Sequence, residues 1–320
     1  MDLLPTIRDV EAARARLAGD VHSTPVLTSR TLDSMVGASL FFKCENLQRT
    51  GSFKIRGALN AARAFVESLE SEECETTGPN RATDEALVTH SSGNHGAALA
   101  LAGQEVGRRV IVVVPRDAPE AKKANITRYG AEIVLCGPTI ADREAALADV
   151  VRSGGHVIPP YNDPRVIGGQ GTLALEFAEQ VPDLDELWVP VGGGGMASGS
   201  VLAVGQKIQV RGVEPELADD AWESLETGVL VGPRPPNTIA DGLRGSLGDI
   251  TFALLKNYQL PISRVSEAQI SEAQRLLMMC LKLVVEPSGA VPFAALLQKK
   301  TTPGKRLGLV ISGGNLDLSF

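Results

Sequence analysis

Ser52-Phe53-Lys54-Ile55-Arg56-Gly57 sets a lysine between an aromatic and an aliphatic residue, in a Ser/Gly-flanked segment downstream of the apolar run Leu40-Phe41-Phe42. Lysine ordinarily points into water. One with apolar neighbours loses hydration, its amine pKa falls, and it becomes competent to form a Schiff base with a carbonyl. Taken alone, the pattern equally fits a solvated charge at a strand end. Three further segments follow in order: Ser91-Ser92-Gly93-Asn94-His95-Gly96, Gly192-Gly193-Gly194-Gly195 and Ser312-Gly313-Gly314-Asn315. Each comes directly after an apolar, strand-like run: Leu87-Val88-Thr89-His90, residues 187–191 and residues 307–311.

Such runs alternate with helix-like stretches along the whole chain, the pattern of an α/β protein with parallel sheets and flanking helices. The pattern predicts strands over 87–90, 110–114 and 133–135 and helices over 94–105, 119–129 and 141–151. Residues 86–158 are expected to form a small domain, and residues 1–85 with 159–320 a larger one. Between them, residues 66–86 are acidic and polar and include Gly78-Pro79, so they read as an exposed inter-lobe loop.

Composition excludes several classes of function. The 320 residues are 43% hydrophobic and 22% charged, ordinary for a soluble globular enzyme. A net charge of −7 and a pI near 5.3, with no basic stripe, argue against general nucleic-acid binding. No uncharged apolar run reaches the roughly 18 residues of a membrane span, and Met1-Asp2-Leu3-Leu4-Pro5 lacks the features of a signal peptide. Cys44, Cys74, Cys136 and Cys280 are scattered without a CxxC, which suits reduced thiols. The expectation is a cytoplasmic enzyme.

Glycines 192–195 lie between a strand and the helix-like Met196-Ala197-Ser198-Gly199, where backbone N–H groups and the helix dipole favour an anion. A phosphate site is the natural reading. Gly192-x-Gly194-x-x-Ala197, with Glu214 about 20 residues on, also satisfies the loose dinucleotide fingerprint. A nicotinamide-dependent oxidoreductase is therefore the rival, although it leaves Lys54 and the Ser-Gly-Asn segment without a role. Ser91, Ser92 and Asn94 suit a substrate carboxylate at a helix start, and equally a plain N-cap with a tight turn. The acids of Glu214-Pro215-Glu216-Leu217-Ala218-Asp219-Asp220 fit a solvated helix start or an oxygen-ligand cation site.

Together the four segments resemble the pyridoxal-phosphate (PLP) enzymes of the tryptophan-synthase-β fold type (fold type II), in the serine/threonine dehydratase and serine racemase branch. The similarity covers nearly the whole chain and implies a two-lobed arrangement. It implies that Lys54 holds PLP, flanked by Phe53, with Gly192, Gly193, Gly194, Gly195 and Met196 at its phosphate, Asn94 at its phenolic oxygen and Ser312 facing the pyridine nitrogen. Substrate contacts would come from Ser91, Ser92, Asn94, His95 and Arg143, with Ser92 as the opposite-face acid. The resemblance further implies a Mg²⁺, Mn²⁺ or Ca²⁺ site at Glu214, the Ala218 carbonyl and Asp220. A homodimer is implied too, and an ATP activator site at Tyr129, Lys282 and Asn315. Ala97, where family members often carry Gln, departs from that last pattern. The implied chemistry is interconversion of L- and D-serine with β-elimination to pyruvate and ammonia; threonine or 3-hydroxyaspartate dehydration is the alternative.

Overall fold

A computed structural model describes residues 4–75, 85–232, 234–235, 237–298 and 303–317. The chain begins with α1 (Ile7–Leu17), β1 (Val26–Leu27), α2 (Arg30–Val36), β2 (Ser39–Cys44) and, after two short turns, α3 (Lys54–Glu75). Next come β3 (Ala86–Thr89), α4 (Asn94–Glu105), β4 (Val110–Pro115), α5 (Glu120–Arg128), β5 (Glu132–Cys136), α6 (Ile140–Arg152) and β6 (Gly155–Val157). Then follow α7 (Pro164–Gln180), β7 (Glu186–Pro190), α8 (Gly195–Val204), β8 (Gln209–Pro215) and α9 (Asp220–Thr227). The order closes with α10 (Asp249–Asn257), β9 (Ile262–Val265), α11 (Glu267–Leu281), α12 (Pro287–Leu297) and β10 (Arg306–Ile311).

The strands form two sheets. One has the order β1-β2-β10-β7-β8-β9 and is parallel except for β1. The other, β5-β4-β3-β6, is wholly parallel and takes its strands from residues 86–157. Strands covered on both faces read as continuous apolar runs, and every residue of β7 and β3 is buried. Helix starts are chemically marked: Asp163 caps α7, accepting the N–H groups of Arg165 and Val166, with Pro164 in the first turn.

Helix α3 departs from the sequence reading. Residues 66–75, expected in the acidic loop, continue the helix that begins at Lys54; residues 76–84 lie outside the described set. The apolar stripe that includes Ile55, Leu59 and Phe65 extends to Leu69, which packs on the core under the second sheet. Glu and Ser on the opposite face are compatible with helix once that stripe is anchored, and Arg16 pairs with Glu67 at 2.9 Å. The same core joins Leu17 of α1 and Ile55, Leu59 and Phe65 of α3 to Leu87, Leu99 and Val112. The second sheet is therefore seated on helices from the N-terminal segment. No helix among the described residues is long and apolar enough to cross a membrane.

Candidate active site

The four segments singled out in the sequence occupy the carboxyl ends of β2, β3, β7 and β10, where open parallel sheets place their ligand crevices. The first and last are joined directly. Ser52 and Gly313 form an antiparallel bridge, Phe53 N–H donates to Ser312 O at 3.1 Å, and Gly314 N–H donates to Gly51 O at 3.0 Å. Gly51 has φ +73°, and a Cβ there would lie 2.4 Å from Asn315 Oδ1, so only glycine fits.

Lys54 is the first residue of α3, with its Nζ donating to Pro160 O at 2.8 Å and lying 5.1 Å from the centre of the Phe53 ring. Burial pulls its amine down to about 8, against the upward pull of the Glu286 carboxylate. An amine poised there exchanges protons near neutrality far more readily than an ordinary lysine. His95, in the first turn of α4, is buried with Nε2 3.0 Å from Ile158 O. Desolvation first, and the Lys54 charge second, hold it at about 3. It is a neutral hydrogen-bond donor at physiological pH.

The connector 158–161 is the spine of the site. Ile158 O takes His95, Pro160 O takes Lys54, and the Tyr161 ring lies against the glycine loop. A Cβ on Gly193 would stand 2.2 Å from Tyr161 Cδ1, and one on Gly195 2.9 Å from Tyr161 Cβ. One on Gly192 would meet Leu243 Cα at 2.9 Å, and Gly194, at φ +81°, caps α8 against Leu247. Each added Cβ would collide with a packed neighbour, so the loop stays bare backbone at the N-terminus of α8. That arrangement suits the phosphate of PLP. Met196 follows, buried in α8, and Ser312 is buried after β10.

Asn94 opens α4 and is tied to the far side of the site. Its Nδ2 donates to Glu286 Oε1 at 2.9 Å, and its Oδ1 accepts from Asn315 Nδ2 at 2.8 Å. Burial lifts the Glu286 carboxyl to about 7, although the Asn94 amide opposes the rise. Ser91 and Ser92 form the partly exposed turn before α4. That turn is tight: a Cβ on Gly96 would be 2.1 Å from Ser91 O. Arg143, in α6, has a buried Nε without a hydrogen-bond partner among the described residues; burial lowers the His90 pKa and the Arg143 charge adds to the fall.

Glu214 and Asp220 meet beside α9. Glu214 accepts the N–H groups of Trp222 at 2.7 Å and Ala221 at 3.3 Å. Asp220 Oδ2 is buried with no partner. Burial raises Asp220 to about 6 and Glu214 well above the carboxylate range, with the Asp220 charge adding to the latter. Both carboxylates are desolvated and one of them holds the orphaned oxygen, although no group of three or more His, Cys, Asp or Glu among the described residues is placed to hold a metal ion. Tyr129 caps the end of α5 and Lys282, at φ +60°, the end of α11. Asn315 instead spends its amide on Asn94 and Thr50 O.

A family model described as pyridoxal-phosphate dependent enzyme matches residues 17–313. The chain belongs to the pyridoxal-phosphate dependent enzymes. It is 42% identical to the β-hydroxyaspartate dehydratase of Paracoccus denitrificans over 320 residues, covering 98% of each chain. With the serine racemase of Homo sapiens it shares 43% identity over 321 residues, covering 97% of this chain and 91% of that one. The structure of maize serine racemase superposes with a TM-score of 0.91 at 39% identity, covering 99% of this chain and 95% of the other. The fold-type-II assignment follows, and a nicotinamide-dependent oxidoreductase does not.

Sequence reading missed Glu286 and the part that the Ile158 and Pro160 carbonyls play, although it pointed to 160–163 as pocket residues. Glu286 did leave a trace: a lone acid within Leu283-Val284-Val285-Glu286-Pro287, directly before a helix.

The lowered Lys54 pKa has a stability consequence. In cofactor-free protein the charged amine is disfavoured by folding. The penalty is absent above the unfolded value of 10.5, grows as pH falls toward about 8, and is complete below it. Lys54→Met should raise the unfolding free energy of the cofactor-free chain more at about pH 7 than at about pH 10, read by urea titration. An equal gain at both would show that the amine is not desolvated.

Proposed function

We propose that the protein is a serine racemase that also eliminates water from serine, giving pyruvate and ammonia after hydrolysis. The observation that carries the reading is the desolvated Lys54 amine within one site with the Ser91–Asn94 turn and the glycine cradle. Lys54, Phe53, Asn94, Ser312, Met196 and glycines 192–195 would hold PLP. Bound there, PLP withdraws electrons from the substrate Cα–H bond.

The chain's own residues supply the proton handling. Lys54, with its lowered pKa, takes the Cα proton of L-serine on one face. Inversion needs a donor on the other face, and we assign that role to the Ser92 hydroxyl. The α4 N-terminus, with Ser91 and Asn94, orients the substrate carboxylate. Neutral His95 contributes a hydrogen bond and no charge. A hydroxyl at Ser312 carries no charge to hold a proton on the ring nitrogen, so it would make the bound cofactor a weaker electron sink than a carboxylate would.

Arg143 supports a second reading. Its guanidinium, with Nε unpartnered among the described residues, would offer a cation to a β-carboxylate, which favours 3-hydroxyaspartate dehydration on the same site. Incubation with L-serine, L-threonine and 3-hydroxyaspartate, scoring keto acid and enantiomer together, separates the two. Ser92→Ala should suppress L-to-D conversion of serine at least about tenfold more than pyruvate formation from L-serine. Equal losses would withdraw the racemase assignment.

A divalent cation at Glu214, Asp220 and the Ala218 carbonyl completes the proposal. Binding only to the folded state, Mg²⁺ at about 100 times its Kd should stabilise by about 2.7 kcal/mol. Chelator should therefore lower the melting temperature, and Asp220→Asn should abolish the response. An unchanged response in Asp220→Asn would place the cation elsewhere. Nucleotide activation is left out of the proposal, because Asn315 is already committed to Asn94 and Thr50.

A further inference from the structure

The Asn94 side chain is locked from both ends. Its Nδ2 meets Glu286 Oε1 at 2.9 Å and Oε2 at 3.2 Å, a fork on the carboxylate. Its Oδ1 accepts from Asn315 Nδ2, and that same Asn315 nitrogen donates to Thr50 O, each at 2.8 Å. An ionised carboxylate only accepts and an amide nitrogen only donates. Once ionised, Glu286 therefore demands the nitrogen of Asn94, and Asn315 demands its oxygen. The two requirements specify one orientation of an amide that could otherwise flip.

Glu286 is itself fixed. It is 3% exposed, its Oε2 accepts the N–H of Asn315 at 3.1 Å, and its own N–H donates to Gly313 O at 3.1 Å. A Cβ at Gly313 would stand 2.5 Å from Glu286 Oε1, so the glycine of the Ser-Gly-Gly-Asn segment makes room for this carboxylate. With its oxygen occupied and one N–H on Glu286, Asn94 keeps a single donor uncommitted.

We propose that Glu286 is a positioning residue: it fixes the Asn94 amide so that Asn94 can only donate a hydrogen bond to the ring oxygen of PLP. The proposal rests on the PLP reading above, in which Asn94 meets that oxygen. A donor there favours the ionised ring oxygen, whereas a flipped amide would set oxygen against oxygen and disfavour it. Glutamine cannot replace Glu286. Its NH₂ would face either the Asn315 N–H or the Asn94 Nδ2, a donor–donor conflict, and flipping Asn94 to relieve it creates another at Asn315 Nδ2.

The test reads the cofactor's absorption in holoenzyme at about pH 8, above the value of about 7 to which burial raises Glu286. Glu286→Gln should shift the ratio of ionised to protonated ring oxygen about tenfold toward the protonated form, the equivalent of one pKa unit. Asn94→Ala should produce a shift of similar size. The double variant should shift no further than Asn94→Ala alone, because the two residues act through one hydrogen bond. Additive shifts, or an unchanged ratio in Glu286→Gln, would overturn the proposal. Should Glu286→Gln fail to fold, Asn315→Ala breaks the other end of the lock and must give the same shift, non-additive with Asn94→Ala. A wild-type protein without any cofactor band would instead defeat the PLP reading itself.

Discussion

A buried ion cluster beneath Lys54 is the constraint on which the site depends. Arg56, 1% exposed and two residues after the lysine, donates to both oxygens of Glu45 at 2.8 Å and to Glu176 at 3.1 Å. Lys43, also buried, pairs with Glu176 and donates to Thr24 O. Two cations and two carboxylates thus tie the start of α3 to β2 and α7. Breaking a buried pair on one side typically costs about 3–5 kcal/mol, because the remaining charge has no counter-ion. Such a cluster contributes little net stability, yet it allows one register for the first turn of α3. In that register Lys54 Nζ reaches the carbonyl of Pro160.

Fixing the lysine fixes the rest. The Ser52–Gly313 bridge brings the last loop to the first, and Asn315 then reaches Thr50 and Asn94. The 158–161 connector, leaving the small sheet, supplies the carbonyls that receive His95 and Lys54 and the ring that presses on the glycine loop. Desolvation is the common currency. It lowers Lys54 and His95 and raises Glu286, so the site holds a weakly basic amine, a neutral imidazole and a carboxyl near neutrality.

The sequence pointed to the segments that the fold gathers at the strand ends, because contiguous side chains or bare glycines mark them: Lys54, the Ser91–Gly96 turn, residues 192–195 and the Ser312 segment. The parallel sheets were equally readable, because strands buried on both faces are uninterrupted apolar runs. The connector was not, since it works through backbone carbonyls, which no residue type announces. Glu286 was missed because its partners are distant: Asn94 lies 192 positions away. The length of α3 was misjudged because a polar run looks like a loop until the stripe ending at Leu69 is seen packed on the core.

The central claim is that Lys54 carries the cofactor, and covalent trapping tests it most directly. Holoenzyme reduced with borohydride and digested should yield one pyridoxyl-modified peptide, the one containing Lys54, and Lys54→Ala should yield none. Modification of a different lysine, in protein whose cofactor absorption was present before reduction, would contradict the account.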